Sequence, residues 1–230
     1  MTVCIGYAMM TKISGALAAP AMAFLMLYKA WKDRKQWMRY LKQFLCFGAV
    51  AFPLGLWYPL RQLVRYEMPL GYVPRIPETD GQFIGMYSKW QRFFDFENAF
   101  DWLSLRWNNT AEIDYNIPVS LVKFAVFGEG NFYFINQVLM DTGTVLFWMT
   151  LVFMVLAAAA YILWIFMGKQ AVPIKVFVSL TLAANLYSYV KFNLAYPYVC
   201  TMHIRYIMAA AGLYMASAAT MIVQIAQLIP

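Results

Sequence analysis

Runs of apolar residues long enough to cross a bilayer recur along this chain, and they narrow it to one kind of architecture. The clearest is TVLFWMTLVFMVLAAAAYILWIFM at 144–167, which holds no charged residue and exceeds the roughly 18 to 20 residues that a helix needs to span a hydrocarbon core. A buried strand or a short core helix does not require such a length. The composition agrees: 63% of the residues are hydrophobic and 13% charged, against about half and about a quarter in soluble domains. With a mean hydropathy of +0.56, an ordinary soluble enzyme is excluded. The expected fold is an all-α polytopic membrane protein.

Five transmembrane helices are predicted, at about 9–28, 44–60, 144–167, 172–189 and 204–228. Lys29, Lys32, Arg34, Lys35, Arg39 and Lys42 follow the first, with only Asp33 against them. An excess of Lys and Arg marks a cytoplasmic loop, so the N-terminus is placed outside and the C-terminus in the cytoplasm. The tract at about 61–140 is then one large extracytoplasmic loop, slightly acidic in balance. Its aromatic residues, among them Trp90, Phe93, Phe94, Phe96, Trp102 and Trp107, are too many for a disordered linker. Short amphipathic helices on the membrane surface are expected there. Asp141 is placed as a helix cap at the head of the third span, and 191–203 as a short external loop. The chain thus falls into three parts: 1–66 with two spans and the basic loop, 67–141 with the extracytoplasmic loop, and 142–230 with three spans.

The net charge of +7 does not point to nucleic acid, because many of the cations sit in that one interhelical segment and serve topology. Cys4, Cys46 and Cys200 lie far apart, with no CxxC or His/Cys ligand spacing. Neither a metal site nor a disulfide framework is indicated, and the thiols are read as small packing residues. No cofactor is implied, since P-loop, GxGxxG, HExxH and Ser/His/Asp patterns do not occur. The N-terminus lacks a basic n-region and a cleavage site and enters an apolar segment almost at once. It reads as a chain that begins in the middle of something.

The informative residues are cations placed where the positive-inside rule does not want them. Lys12 lies about sixteen residues above the inner end of its helix, or roughly 24 Å at 1.5 Å per residue, in the outer third of the bilayer. Arg61 and Arg65 follow the outer end of the second span at i, i+4 spacing, on one face if the helix continues. Lys191, His203 and Arg205 bracket the external loop between the last two spans, with Tyr206 beside them. These residues are the candidate substrate site, because Arg offers paired donors to a phosphate and Lys a compact charge. The plain alternative is that they snorkel to headgroups and that His203 is structural. Carboxylates are scarce inside the membrane, so a general base can come only from the external loop, where Glu67, Glu78 and Asp80 flank a Pro-rich turn. No catalytic residue is assigned.

Several segments together resemble a known family. GYAMMTKISGALAAP at 6–20 resembles a G-x-x-x-x-T-K-x-[ST/G]-x-x-x-x-P segment of the polytopic GT-C glycosyltransferases, the group of protein O-mannosyltransferases and aminoarabinose transferases. LWYPLRQLVR at 56–65 is similar to the W-x-x-R-N stretch of bacterial members, with Gln62 in place of Asn. YPYVCTMHIRY at 196–206 looks like an R-Y-x-x-P segment, with Ala209 where Pro is usual, and VSLVKFAVFGE at 119–129 resembles an external segment. The resemblance implies a bacterial cytoplasmic membrane and transfer of a sugar from a polyprenyl-phosphate donor to an extracytoplasmic acceptor. In that family the catalytic acid lies in the first external loop, and nothing here matches it. The chain is therefore expected to be a C-terminal portion, requiring a missing N-terminal half or a partner subunit.

A transporter or flippase fragment for an anionic lipid or solute, with the same cations lining a path, is the alternative from another class, and a noncatalytic scaffold is a third. A transporter should carry polar residues through the midplane, where Asn185 and Ser188 are among the few present. Polar residues gathered at one interface favour interfacial chemistry.

Overall fold

A computed structural model describes Gly6 and residues 13–69, 77–79, 81–96, 115–128 and 137–227. Lys12, Asp80, Trp102, Trp107 and Glu129 lie outside the described residues. Among the described residues the regular structure is helical: α1 (Ala19–Lys32), α2 (Trp37–Tyr66), α3 (Gln91–Phe94), α4 (Ile117–Phe127), α5 (Gln137–Met167), α6 (Val172–Ala195) and α7 (Met208–Ala226). Short 3-10 turns occupy Ile13–Ala18, Arg34–Gln36, Val199–Met202 and Ile204–Tyr206. One isolated antiparallel bridge joins Phe83 to Tyr198.

Among the described residues three helices are long and apolar enough to cross a membrane: Arg34–Tyr66, Asp141–Met167 and Met208–Ala226. Large apolar side chains face outward along α5, among them Val145, Val152, Val155, Leu156 and Phe166, the last 79% exposed. A continuous apolar surface of this length is far beyond what soluble proteins leave uncovered, and hydrocarbon is compatible with it. Of the two other expected spans, α1 is a 14-residue helix preceded by the Ile13–Ala18 turn. α6 is long enough at 24 residues but carries Lys175, Asn185, Lys191 and Asn193.

Proline punctuates these helices in two ways. Pro20, Pro118 and Pro173 stand in the first turns of α1, α4 and α6, where a missing amide hydrogen costs nothing. Pro53 and Pro59 stand inside α2, and each removes a helical hydrogen bond and crowds the carbonyl four residues back. The helix nevertheless continues through Arg61 and Arg65 to Tyr66, so the i, i+4 pair shares one helix face. It stops at Glu67, whose φ of 54° is left-handed, and the Met68 amide returns to the Gln62 carbonyl at 3.4 Å.

Several sequence expectations change. The basic stretch is mostly helical: Lys29 and Lys32 end α1, Arg39 and Lys42 lie in α2, and only Asp33 and the Arg34–Gln36 turn separate the helices. Lys and Arg form helices readily, and cations suit the carbonyl end of α1. Asp141 lies one turn inside α5 and so does not cap it. Lys191 sits in the C-terminal part of α6 rather than in a loop. The last helix opens at Met208 rather than at residue 204, because Ile204–Tyr206 is a separate 3-10 turn. Cys46 is exposed on α2 and does not serve as a packing residue.

The chain forms two compact units, Met1–Arg75 with Gln170–Asn185, and Ile76–Lys169 with Leu186–Pro230. In the first, α1 packs on α2, and Gly6 approaches α2 so closely that a Cβ there would sit 2.8 Å from that of Leu54. In the second, α5 packs on α7 through Ala157, Ala160 and Ala218, where small side chains let the backbones approach. The Tyr214 hydroxyl crosses this seam to donate to the Met154 carbonyl at 2.9 Å. A second core gathers Ile84, Ile117, Phe124, Tyr189, Val199, Met202 and Ile207. α4 buries Ile117, Val119, Ser120, Val122, Lys123 and Phe124. That covers most of its circumference, so α4 is a packed helix and not the amphipathic surface helix expected in this tract.

Candidate functional site

The second unit contains a buried polar knot at the C-terminal end of α6. Its construction starts at Ser88, whose Oγ accepts from the Gln91 amide at 3.2 Å while the Gln91 side chain accepts from the Ser88 amide at 2.9 Å. This reciprocal capping box fixes the start of the single turn α3. Arg92, the next residue, is 2% exposed. Its Nε donates to the Tyr115 carbonyl at 3.1 Å and its Nη1 to the Asn193 carbonyl at 2.9 Å. The second carbonyl belongs to the last turn of α6, where no amide of the helix itself follows to satisfy it. A cation there also meets the negative end of the helix dipole. Burial pushes the Arg92 pKa down to about 10, with nearby Tyr189 acting in the opposite direction; the guanidinium remains charged at neutral pH. Among the described residues its Nη2 has no hydrogen-bond partner.

Neighbouring residues complete the knot. The Tyr115 hydroxyl donates to the Asp95 carboxylate at 2.6 Å, and the Asn116 Nδ2 donates to the Asp95 carbonyl at 2.9 Å. Asn116 Oδ1 accepts from the Val119 amide at 3.0 Å and so caps α4. On the other side, Asn193 Oδ1 accepts from the Thr201 hydroxyl at 3.1 Å, and the Tyr189 hydroxyl donates to the Met202 carbonyl at 2.6 Å. The Ile84 amide to the Pro197 carbonyl and the Val199 amide to the Gln82 carbonyl add backbone ties. The stretch after α6 is therefore tied down at Pro197, Val199, Thr201 and Met202.

That connection carries three of the candidate residues, and the adjoining part of α6 a fourth. His203 stacks on Phe124 with ring centres 5.5 Å apart, and its Nδ1 accepts from the Arg205 amide at 3.0 Å. The bond leaves the proton of the neutral imidazole on Nε2. Arg205 is exposed and lies 5.2 Å from the Tyr206 ring centre, and Tyr206 packs 5.2 Å from Phe192. Phe192 follows the exposed Lys191. Two aromatic rings thus back an exposed guanidinium, and an exposed ammonium stands beside them in sequence.

Arg61 and Arg65 belong to the first unit, both exposed, and Arg65 stands 5.7 Å from the Tyr66 ring centre. Lys12 falls outside the described residues. Of the acids considered as bases, Glu67 and Glu78 are exposed.

Two cations were missed in sequence. Arg92 and Lys123 both count there as ordinary loop charges, yet Lys123 is fully buried in α4. Signals existed for both: Ser88 and Gln91 have capping-box spacing just before Arg92, and Lys123 is the sole charge in the apolar stretch 117–127. No family, no curated protein and no solved structure matches the chain.

Proposed function

We propose that this chain is the lipid-donor-binding portion of a multi-pass membrane glycosyltransferase of the GT-C kind, which moves a sugar from a polyprenyl phosphate to an extracytoplasmic acceptor. In this reading α1 and α6 join the three long apolar helices to give five spans in a bacterial cytoplasmic membrane, with the N-terminus outside and the C-terminus inside. The observation that supports it is the buried knot at the end of α6, which ties down the α6–α7 connection bearing His203, Arg205 and Tyr206, close in sequence to Lys191 on α6. Preorganised cations suit a phosphate leaving group, whose negative charge grows as the bond to the sugar breaks. The acceptor hydroxyl attacks the anomeric carbon, its proton passes to an acidic base, and the polyprenyl phosphate leaves with the bonding electrons. The base comes from an acidic loop of a preceding half or of a partner subunit. Lys12, Arg61 and Arg65 act as phosphate-level cations of the first unit.

The test is binding of a polyprenyl-phosphate sugar to the full chain in detergent. Arg205→Ala and Lys191→Ala should weaken binding about tenfold to a hundredfold each, the loss of one charged hydrogen bond. Donor binding equal to wild type in both, with helix content unchanged, would show that the cations are interfacial anchors only.

A further inference from the structure

The elbow between α1 and α2 carries six cations, Lys29, Lys32, Arg34, Lys35, Arg39 and Lys42, and one acid, Asp33. That acid is engaged by a phenol, since the Tyr40 hydroxyl lies 3.4 Å from Asp33 Oδ2. The cations are organised by aromatic and amide neighbours instead. Lys29 Nζ lies 5.7 Å from the Tyr40 ring centre and the Arg34 guanidinium 5.9 Å from that of Trp31. Arg39 Nη1 donates to Gln36 Oε1 at 3.0 Å. Two open grooves follow the elbow, one of ≈ 530 Å³ lined by Trp31, Lys32, Asp33, Arg34 and Lys35, and one of ≈ 420 Å³ lined by Met38, Arg39, Lys42, Gln43 and Cys46. Beside the cations, Trp31 and Met38 are 65% and 64% exposed, and Trp37 and Leu45 are also exposed.

We propose that this elbow is a binding site for the anionic headgroups of membrane phospholipids. Six cations gathered against one acid repel one another, and phosphodiester groups supply the opposite charge that is scarce among the described residues of the elbow. The exposed Trp and Met side chains select a lipid over a nucleic acid or an acidic peptide. They continue directly into the apolar helix Arg34–Tyr66, so a ligand held here must offer acyl chain below its phosphate, and indole rings favour that boundary. The site requires only that α2 enters a bilayer. It is independent of sugar transfer, and the donor-binding assay above can fail while this one succeeds.

The experiment uses the full chain in a non-ionic detergent, with retention of phosphatidylglycerol and of phosphatidylcholine read by native mass spectrometry. Wild type should retain phosphatidylglycerol preferentially. Lys32→Gln/Lys35→Gln/Lys42→Gln should lose about fivefold in that preference for each cation removed, while Lys169→Gln/Lys175→Gln should lose little. Raising salt from about 50 to about 500 mM should erode the wild-type preference without any substitution, which keeps the proposal testable if the triple variant misfolds. Equal retention of the two lipids by wild type, or equal behaviour of the triple and double variants, would overturn the site. Displacement of the lipid by millimolar inorganic phosphate would overturn its assignment to a lipid headgroup.

Discussion

Removing the Arg92 guanidinium while keeping its bulk tests whether the buried knot holds the α6–α7 connection. In Arg92→Met the Asn193 carbonyl, now accepting at 2.9 Å, stays buried without that donor, and the Tyr115 carbonyl, now accepting at 3.1 Å, is left part-buried without its own. Each charge-assisted bond contributes about 1.5 to 3 kcal/mol, so the gross loss is about 3 to 6. The variant also relieves the cost of burying a charge at a site 2% exposed, the same desolvation that lowers the guanidinium pKa. Replacing a buried ion by an apolar side chain often recovers part of such a loss, so the net destabilisation expected is about 2 to 4 kcal/mol. For a chain of this size each kcal/mol moves Tm by about 2 to 4 °C, which gives a fall of roughly 4 to 16 °C by circular dichroism in detergent. Arg92→Lys keeps the charge but lacks the planar fork and reaches one carbonyl, so its loss should be intermediate. Amide exchange at Val199 and Tyr206 should accelerate in Arg92→Met more than in α5. A Met variant that melts within about 1 °C of wild type, with exchange unchanged in the connection, would refute the clamp.

Two more substitutions probe the second unit. Asn116→Ala removes both the α4 cap and the donor to the Asp95 carbonyl; it should cost about 1 to 2 kcal/mol and speed exchange of the Val119 and Ser120 amides, read by hydrogen-exchange mass spectrometry. Ala218→Leu inserts three carbons at a position 2% exposed in the α5–α7 seam; overpacking should cost about 1 to 3 kcal/mol, seen as a lower thermal midpoint, and an unchanged midpoint would mean that the seam has slack.

Helix existence was legible where the signal is local. Residues 144–167 hold a charge-free run that no competing structure can use, and α5 follows it; the spacing of Arg61 and Arg65 likewise predicted a shared face, which the continuation of α2 to Tyr66 supplies. Boundaries were less legible at charged ends. The sequence places Lys191 in a loop, but an exposed Lys costs a helix little, and α6 continues through it to Ala195. The roles of cations were the least legible. Arg92 and Arg205 look alike as letters, yet Arg205 is exposed and Arg92 is buried against a carbonyl 101 positions away. Whether a cation is displayed or enclosed depends on which backbone acceptors the fold leaves unsatisfied, and helix ends are where those acceptors arise. Charge and depth therefore point to Lys191 on α6 and to His203, Arg205 and Tyr206 in the connection after it, and not to Arg92, which bonds the last turn of α6 between them. Any reading of these residues as a phosphate site thus depends on Arg92 as well, since a connection free to unfold would scatter the charges that such a site needs held in place.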